Sequence, residues 1–114
     1  MRDGIYQLTY AGVSFSALGV FVIRNGKFSG VGQAGALYHG TCMLDPARNL
    51  YQMAGTATLK ANTSTVTGFL TGDQDATFPI KAELSSPDPS TRFSIDFAGR
   101  SVDVAATYVC PIPG

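Results

Sequence analysis

The sequence predicts an all-β protein, an antiparallel up-and-down β-barrel of about eight strands. Apolar and polar residues alternate with period two along most of the chain, which puts successive side chains on opposite faces of a strand. No segment repeats with the period of a helix, while 13 glycines and 6 prolines punctuate the chain. The connections are short, so consecutive segments form a meander. A long sheet with one apolar face per strand hides its edges by closing on itself. A β-sandwich is the alternative, and the short connections favour the barrel.

The first segment, GIYQLTYAG (Gly4 to Gly12), sets Tyr6, Leu8 and Tyr10 on one face and Ile5, Gln7 and Thr9 on the other. The second, VSFSALGVFVIR (Val13 to Arg24), sets Phe15, Ala17, Gly19, Phe21 and Ile23 against Leu18, Val20 and Val22. Apolar residues on both of its faces predict burial on both. Asn25-Gly26 predicts a type I′ hairpin turn, which needs positive φ at both central residues. KFSGVG (Lys27 to Gly32) returns as a short glycine-rich strand, and GALYHGTCML (Gly35 to Leu44) is the fourth. DPARN (Asp45 to Asn49) is a turn, with Pro46 presetting φ and Asp45 and Asn49 suited to bonding the local backbone.

LYQMAGTATLKA (Leu50 to Ala61) sets Tyr51, Met53, Gly55, Ala57 and Leu59 against Gln52, Thr56, Thr58 and Lys60. Asn62 to Ala76 is irregular, and Val66 to Leu70 within it reads as a short strand or a turn. TFPIKAELS (Thr77 to Ser85) alternates Phe78, Ile80, Ala82 and Leu84 against Thr77, Pro79, Lys81 and Glu83. Pro79 lacks an N–H and belongs at an edge, a bulge or a gap in the ladder. After the SPDPS turn, TRFSIDF (Thr91 to Phe97) alternates Phe93, Ile95 and Phe97 against Arg92, Ser94 and Asp96. AGRS turns the chain into SVDVAATYV (Ser101 to Val109), with Val102, Val104, Ala106 and Tyr108 on one face. We therefore expect one barrel domain over residues 1–110 and a tail over 111–114.

The chain has 114 residues, enough to bury roughly two thirds of its unfolded surface without staples. Eight Lys+Arg balance eight Asp+Glu, and no charge run stands out. A nucleic-acid surface needs a basic stripe, so no direct nucleic-acid partner is expected. No run of about 18 apolar residues is present, so no membrane span is expected. The apolar-leaning VSFSALGVFVI (Val13 to Ile23) has neither a short basic leader nor a cleavage signal, which argues against a signal peptide and for a cytoplasmic protein. In a reducing compartment Cys42 and Cys110 are expected to be free thiols behaving as small hydrophobes.

The opening MRDGIYQLTYAG and the following GVFVIRNGKFSGVGQAGALYHG resemble a small bacterial family, the GrlR-type negative regulators of type III secretion and their uncharacterised relatives. The matching pieces are Asp3-Gly4-Ile5-Tyr6, Gly19 leading an apolar strand, the Asn25-Gly26 turn, a glycine-rich stretch, and the aromatic-x-Gly of Tyr38-His39-Gly40. Beyond Gly40 the strands agree in pattern only. The resemblance implies a lipocalin-like (calycin-type) barrel that forms a homodimer, with a protein partner such as a transcriptional activator held in restraint. The family's regulator is associated with an acidic surface motif between two middle strands. The corresponding turn here, Asp45-Pro46-Ala47-Arg48-Asn49, carries one acid and one base.

The residues offer little for catalysis, and no enzyme is expected. The single histidine, His39, and Cys42 have opposite parity on the fourth strand, so they point to opposite faces. Asp96 and Asp103 flank the turn at Gly99–Arg100 and sit at polar-face positions, which reads as solvated surface. GVGQAG (Gly30 to Gly35) does not join a strand to a helix, the context a phosphate loop requires. Without CxxC or a Cys/His cluster, no metal and no cofactor is expected.

Two binding surfaces remain. Leu18, Val20 and Val22 oppose the barrel-filling face of their strand and leave an apolar stripe outside, as a dimer interface would. A barrel interior lined by Tyr6, Phe21, Tyr51, Phe78, Phe93, Phe97 and Tyr108 forms an apolar cup with a few hydroxyls. With seven Phe and five Tyr in the chain, side chains filling that cup are the competing expectation. The sequence thus predicts a non-enzymatic binding protein acting through protein contacts as a homodimer. The alternative is a lipocalin-like carrier or sensor of a small apolar ligand.

Overall fold

The computed structural model describes residues 2–11, 16–32, 35–61, 72–85, 90–97 and 100–113, apart from the side chains at 16, 17, 97 and 100. The chain builds eight strands: β1 (Gly4–Ala11), β2 (Ser16–Arg24), β3 (Lys27–Gly32), β4 (Leu37–Asp45), β5 (Leu50–Leu59), β6 (Ala76–Leu84), β7 (Ser90–Phe97) and β8 (Arg100–Cys110). Each pairs antiparallel with its chain neighbour from β1 through β6; β8 folds back onto β1, and β7 pairs with β8. The result is the expected up-and-down barrel, nearly closed. Closure stops at a seam where β6 and β7 lie side by side outside the ladder. There Ser85 Oγ and Thr91 Oγ1 stand 3.0 Å apart in a hydroxyl hydrogen bond. Pro79 lies on β6, one of the two seam strands, as its missing N–H suggests.

The turns follow their local chemistry. Asn25 (φ 53°) and Gly26 (φ 76°) are both left-handed, the type I′ geometry that matches strand twist. The Asp3 carboxylate accepts the Asn25 N–H at 3.0 Å, tying the N-terminal segment to this hairpin. In the β4–β5 turn the Asp45 carboxylate accepts the Ala47 N–H at 3.2 Å, and Asn49 takes φ 51°.

Alternation sorts the side chains as the sequence predicts. On β1, Tyr6, Leu8 and Tyr10 are buried while Gln7 and Thr9 are exposed. Tyr6, Phe21 and Ile23 are the largest fully buried side chains, each worth about 1.5–3 kcal/mol of burial. Cys42 and Cys110 are not joined in a disulfide, and Cys42 is buried among the core residues.

One expectation is corrected. The second strand does not bury both faces: Leu18 is 50% and Val20 43% exposed. A barrel a single sheet thick has no second layer to cover its outer wall. The expected strand start over Val13 to Phe15, the Val66 to Leu70 stretch and the Phe97 ring lie outside the described residues.

Candidate functional site: an apolar outer face on β2–β4

The outward positions of three adjacent strands meet in register. Val20 stands opposite Val31, and Val31 opposite Leu37. An unbroken apolar row therefore crosses β2, β3 and β4, its members 43%, 46% and 45% exposed in that order. Leu18 lies two residues along β2 on the same face, and Val22, two residues the other way, is half-buried. The row ends on polar neighbours, Gln7 on β1 and Thr58 on β5. The next rows grade from Val22–Ser29–His39 to Arg24–Lys27–Thr41 at the rim. An apolar centre framed by polar residues is the anatomy of a protein interface.

The interior is divided into a filled end and a second end. At the filled end Tyr6 stacks on Phe21, with centroids 5.0 Å apart and planes within 8°. Tyr108 meets Tyr6 edge-on at 5.4 Å, and Phe28 meets Phe21 edge-on at 6.3 Å. The Arg2 guanidinium lies 3.6 Å over the Tyr108 ring, and the Tyr6 hydroxyl donates to the Arg2 carbonyl oxygen at 2.5 Å. The N-terminal residues thus stopper this end. Of the other expected lining residues, Tyr51, Phe93 and Tyr108 are half-buried and pack against the core. Phe78 occupies an inward, half-buried position on β6.

The reactive residues do not converge. His39 is exposed, its Nε2 3.0 Å from the Thr56 hydroxyl on the outer face. Cys42 is buried on the inner face, and burial pushes its thiol pKa up, away from the thiolate. Asp103 faces Ser94 and Asp96 faces Ser101; the Ser94 hydroxyl donates to Asp103 at 3.2 Å. Among the described residues no three His, Cys, Asp or Glu side chains gather as a metal site requires.

Two groupings went unmarked in the sequence. Val31 and Leu37 extend the Leu18–Val20–Val22 stripe across β3 and β4. Val31 had a signal: a two-residue turn at Asn25-Gly26 forces it opposite Val20. Tyr10 and Tyr38 come together inside the barrel, rings 6.1 Å apart, across two intervening strands. No short-range pattern announces that pair. No protein-family model matches the chain, and a search of curated proteins finds no match.

Proposed function

We propose that the chain is a non-enzymatic binding protein that works as a homodimer, two barrels meeting through the outer faces of β2–β4. The observation that carries this reading is the row Val20–Val31–Leu37, apolar and about half exposed in the single chain. A standard interface takes roughly 800 Å² from each partner, about an eighth of the chain's 6505 Å². Five residues on three neighbouring strands supply the apolar centre of such an area. A two-fold axis through the patch makes it self-complementary, so it needs no second surface.

The likeness of the chain's first 40 residues to the GrlR-type regulators supports a further protein partner, such as a transcriptional activator. The β4–β5 turn does not supply an acidic contact for it. Asp45 holds the turn's own backbone, and Arg48 pairs with Glu83 on β6. The partner is therefore engaged without an acidic loop at this position. The dimer is tested by light scattering on wild type and Val20→Lys. A buried lysine in the interface should give monomers of unchanged circular dichroism. A folded Val20→Lys protein with the wild-type mass would remove the basis for the reading.

A further inference from the structure

The direction of each backbone group can be followed strand by strand to the β6–β7 seam. Successive residues of an antiparallel strand turn their N–H and C=O groups to opposite neighbours. The Cys42 N–H donates to the Gly26 carbonyl oxygen at 2.7 Å, so Cys42 and Gly40 face β3, and Thr41 faces β5. Carried through the β4–β5 and β5–β6 registers, this alternation turns Ile80, Ala82 and Leu84 to β5. It turns Thr77, Pro79, Lys81 and Glu83 to the seam. Carried the other way through β3, β2, β1 and β8, it turns Thr91, Phe93 and Ile95 to β8, and Arg92, Ser94 and Asp96 to the seam.

The two lips of the seam are therefore matched. On both strands the residues with seam-facing backbone are exposed on the outer wall, and Ile80, Ala82, Phe93 and Ile95 alternate with them on the inner wall. An antiparallel ladder needs that agreement of faces. The charges agree too: the antiparallel order puts Glu83 and Arg92 near the turn end, and Lys81 and Asp96 farther from it. Yet the two strands do not pair, and Met53, Ile80, Ala82 and Ile95 line a cleft beside the seam. An exposed strand edge is a liability, so a lip left unpaired beside its own complement needs a cause. Pro79 supplies it. Its missing N–H falls on the seam side, and its ring holds φ near about −65°, short of the roughly −140° of an antiparallel strand. On the β5 side a proline would have removed a ladder bond; here it affects only the eighth junction.

We propose that the seam is a gate in the barrel wall. Its lips zip into an eighth ladder and part again, and Pro79 sets the balance toward the parted state. Parting uncovers Met53 and the inner face of Ile80; zipping covers them. With the Arg2 end stoppered, the gate is a side opening onto the core. The seam and the β2–β3 junction divide the barrel into two halves of four strands, so the gate lies across the molecule from the outer-face patch and works in monomer and dimer alike.

Met53 reports the gate. Dilute hydrogen peroxide converts a reachable methionine to the sulfoxide, passing one oxygen to sulfur and leaving water. Met43, 61% exposed on β4, is the internal standard, and peptide mass spectrometry reads both rates in one sample. Pro79→Val and Pro79→Ala restore an N–H outside every existing ladder, so both should fold. Each should slow Met53 oxidation about fivefold, the worth of one backbone hydrogen bond, and leave Met43 unchanged. Amide exchange in the wild type should alternate along the two strands, fast at Lys81 and Ser94 and slow at Ala82 and Phe93. The proposal fails if Met53 in the folded variants oxidises at the wild-type rate, or if neither variant folds. It also fails if wild-type Met53 resists peroxide until the fold is lost, or if Lys81 and Ser94 are as protected as Ala82 and Phe93.

Discussion

Tyr6 and Tyr10 sit four residues apart on the inner face of β1, with Leu8 between them, yet their hydroxyls have different surroundings. The Tyr6 hydroxyl donates to the Arg2 carbonyl oxygen, whereas the buried Tyr10 hydroxyl lies beside that of Tyr38. Both phenols are raised above the ordinary value of 10.0, chiefly by burial, as is Tyr38. The sign of the pH dependence follows. Below pH 10 folded and unfolded chains both hold these protons, and stability does not depend on them. Above it the unfolded chain releases protons that the folded chain keeps, so stability falls as pH rises. Buried Cys42 opens the same window earlier, from its ordinary value of 9.0. Urea titrations between pH 8 and pH 11 should show this loss, with a shallower slope in Tyr10→Phe; parallel slopes would contradict the burial of that phenol. Backbone crowding makes a second residue-level prediction. Gly40 and Gly55 face each other across β4 and β5, and a Cβ on Gly55 would collide with the His39 carbonyl oxygen. Gly55→Ala should therefore cost about 1–3 kcal/mol in denaturant midpoint measurements.

At the scale of strands, the seam is the weak place in the wall. Seven of the possible eight junctions are hydrogen-bonded ladders, and the β6–β7 junction is not. Met53, Ile80, Ala82 and Ile95 line a shallow apolar cleft beside it. Amides on the seam side of β7 should exchange with deuterium well before those of β1, which is paired on both sides. Equal protection across β1 and β7 would mean that the wall is closed in solution. The strands themselves were legible because alternation is a local property. GIYQLTYA and LYQMAGTATL each declare an inner and an outer face. The β2–β3 register was legible too, since Asn25-Gly26 sets it. The β3–β4 register was not, because the connection through residues 33–36 carries no turn signal of fixed length. Leu37 therefore joined the outer row only in three dimensions. Tyr10 and Tyr38 were harder still. Their approach depends on how strongly the sheet curls over Gly19 and Gly32, and curvature is a property of the closed barrel rather than of any segment.

For the whole molecule, the central question is what covers the outer wall of β2–β4. The charge balance of the chain gives no long-range steering toward a strongly charged partner. In the homodimer we propose, the apolar row makes hydrophobic contact the driving force, with a second copy presenting the matching surface. Val31 is the sharpest probe, because it touches both ladders of the row. Val109, 55% exposed on β8, is its control, an outward valine off the patch. The deciding measurement is the solution mass, by light scattering at micromolar concentration, of wild type, Val31→Lys and Val109→Lys. The account predicts twice the chain mass for wild type and Val109→Lys, and the single-chain mass for a folded Val31→Lys. A monomeric wild type, or a folded Val31→Lys that stays dimeric, would contradict it.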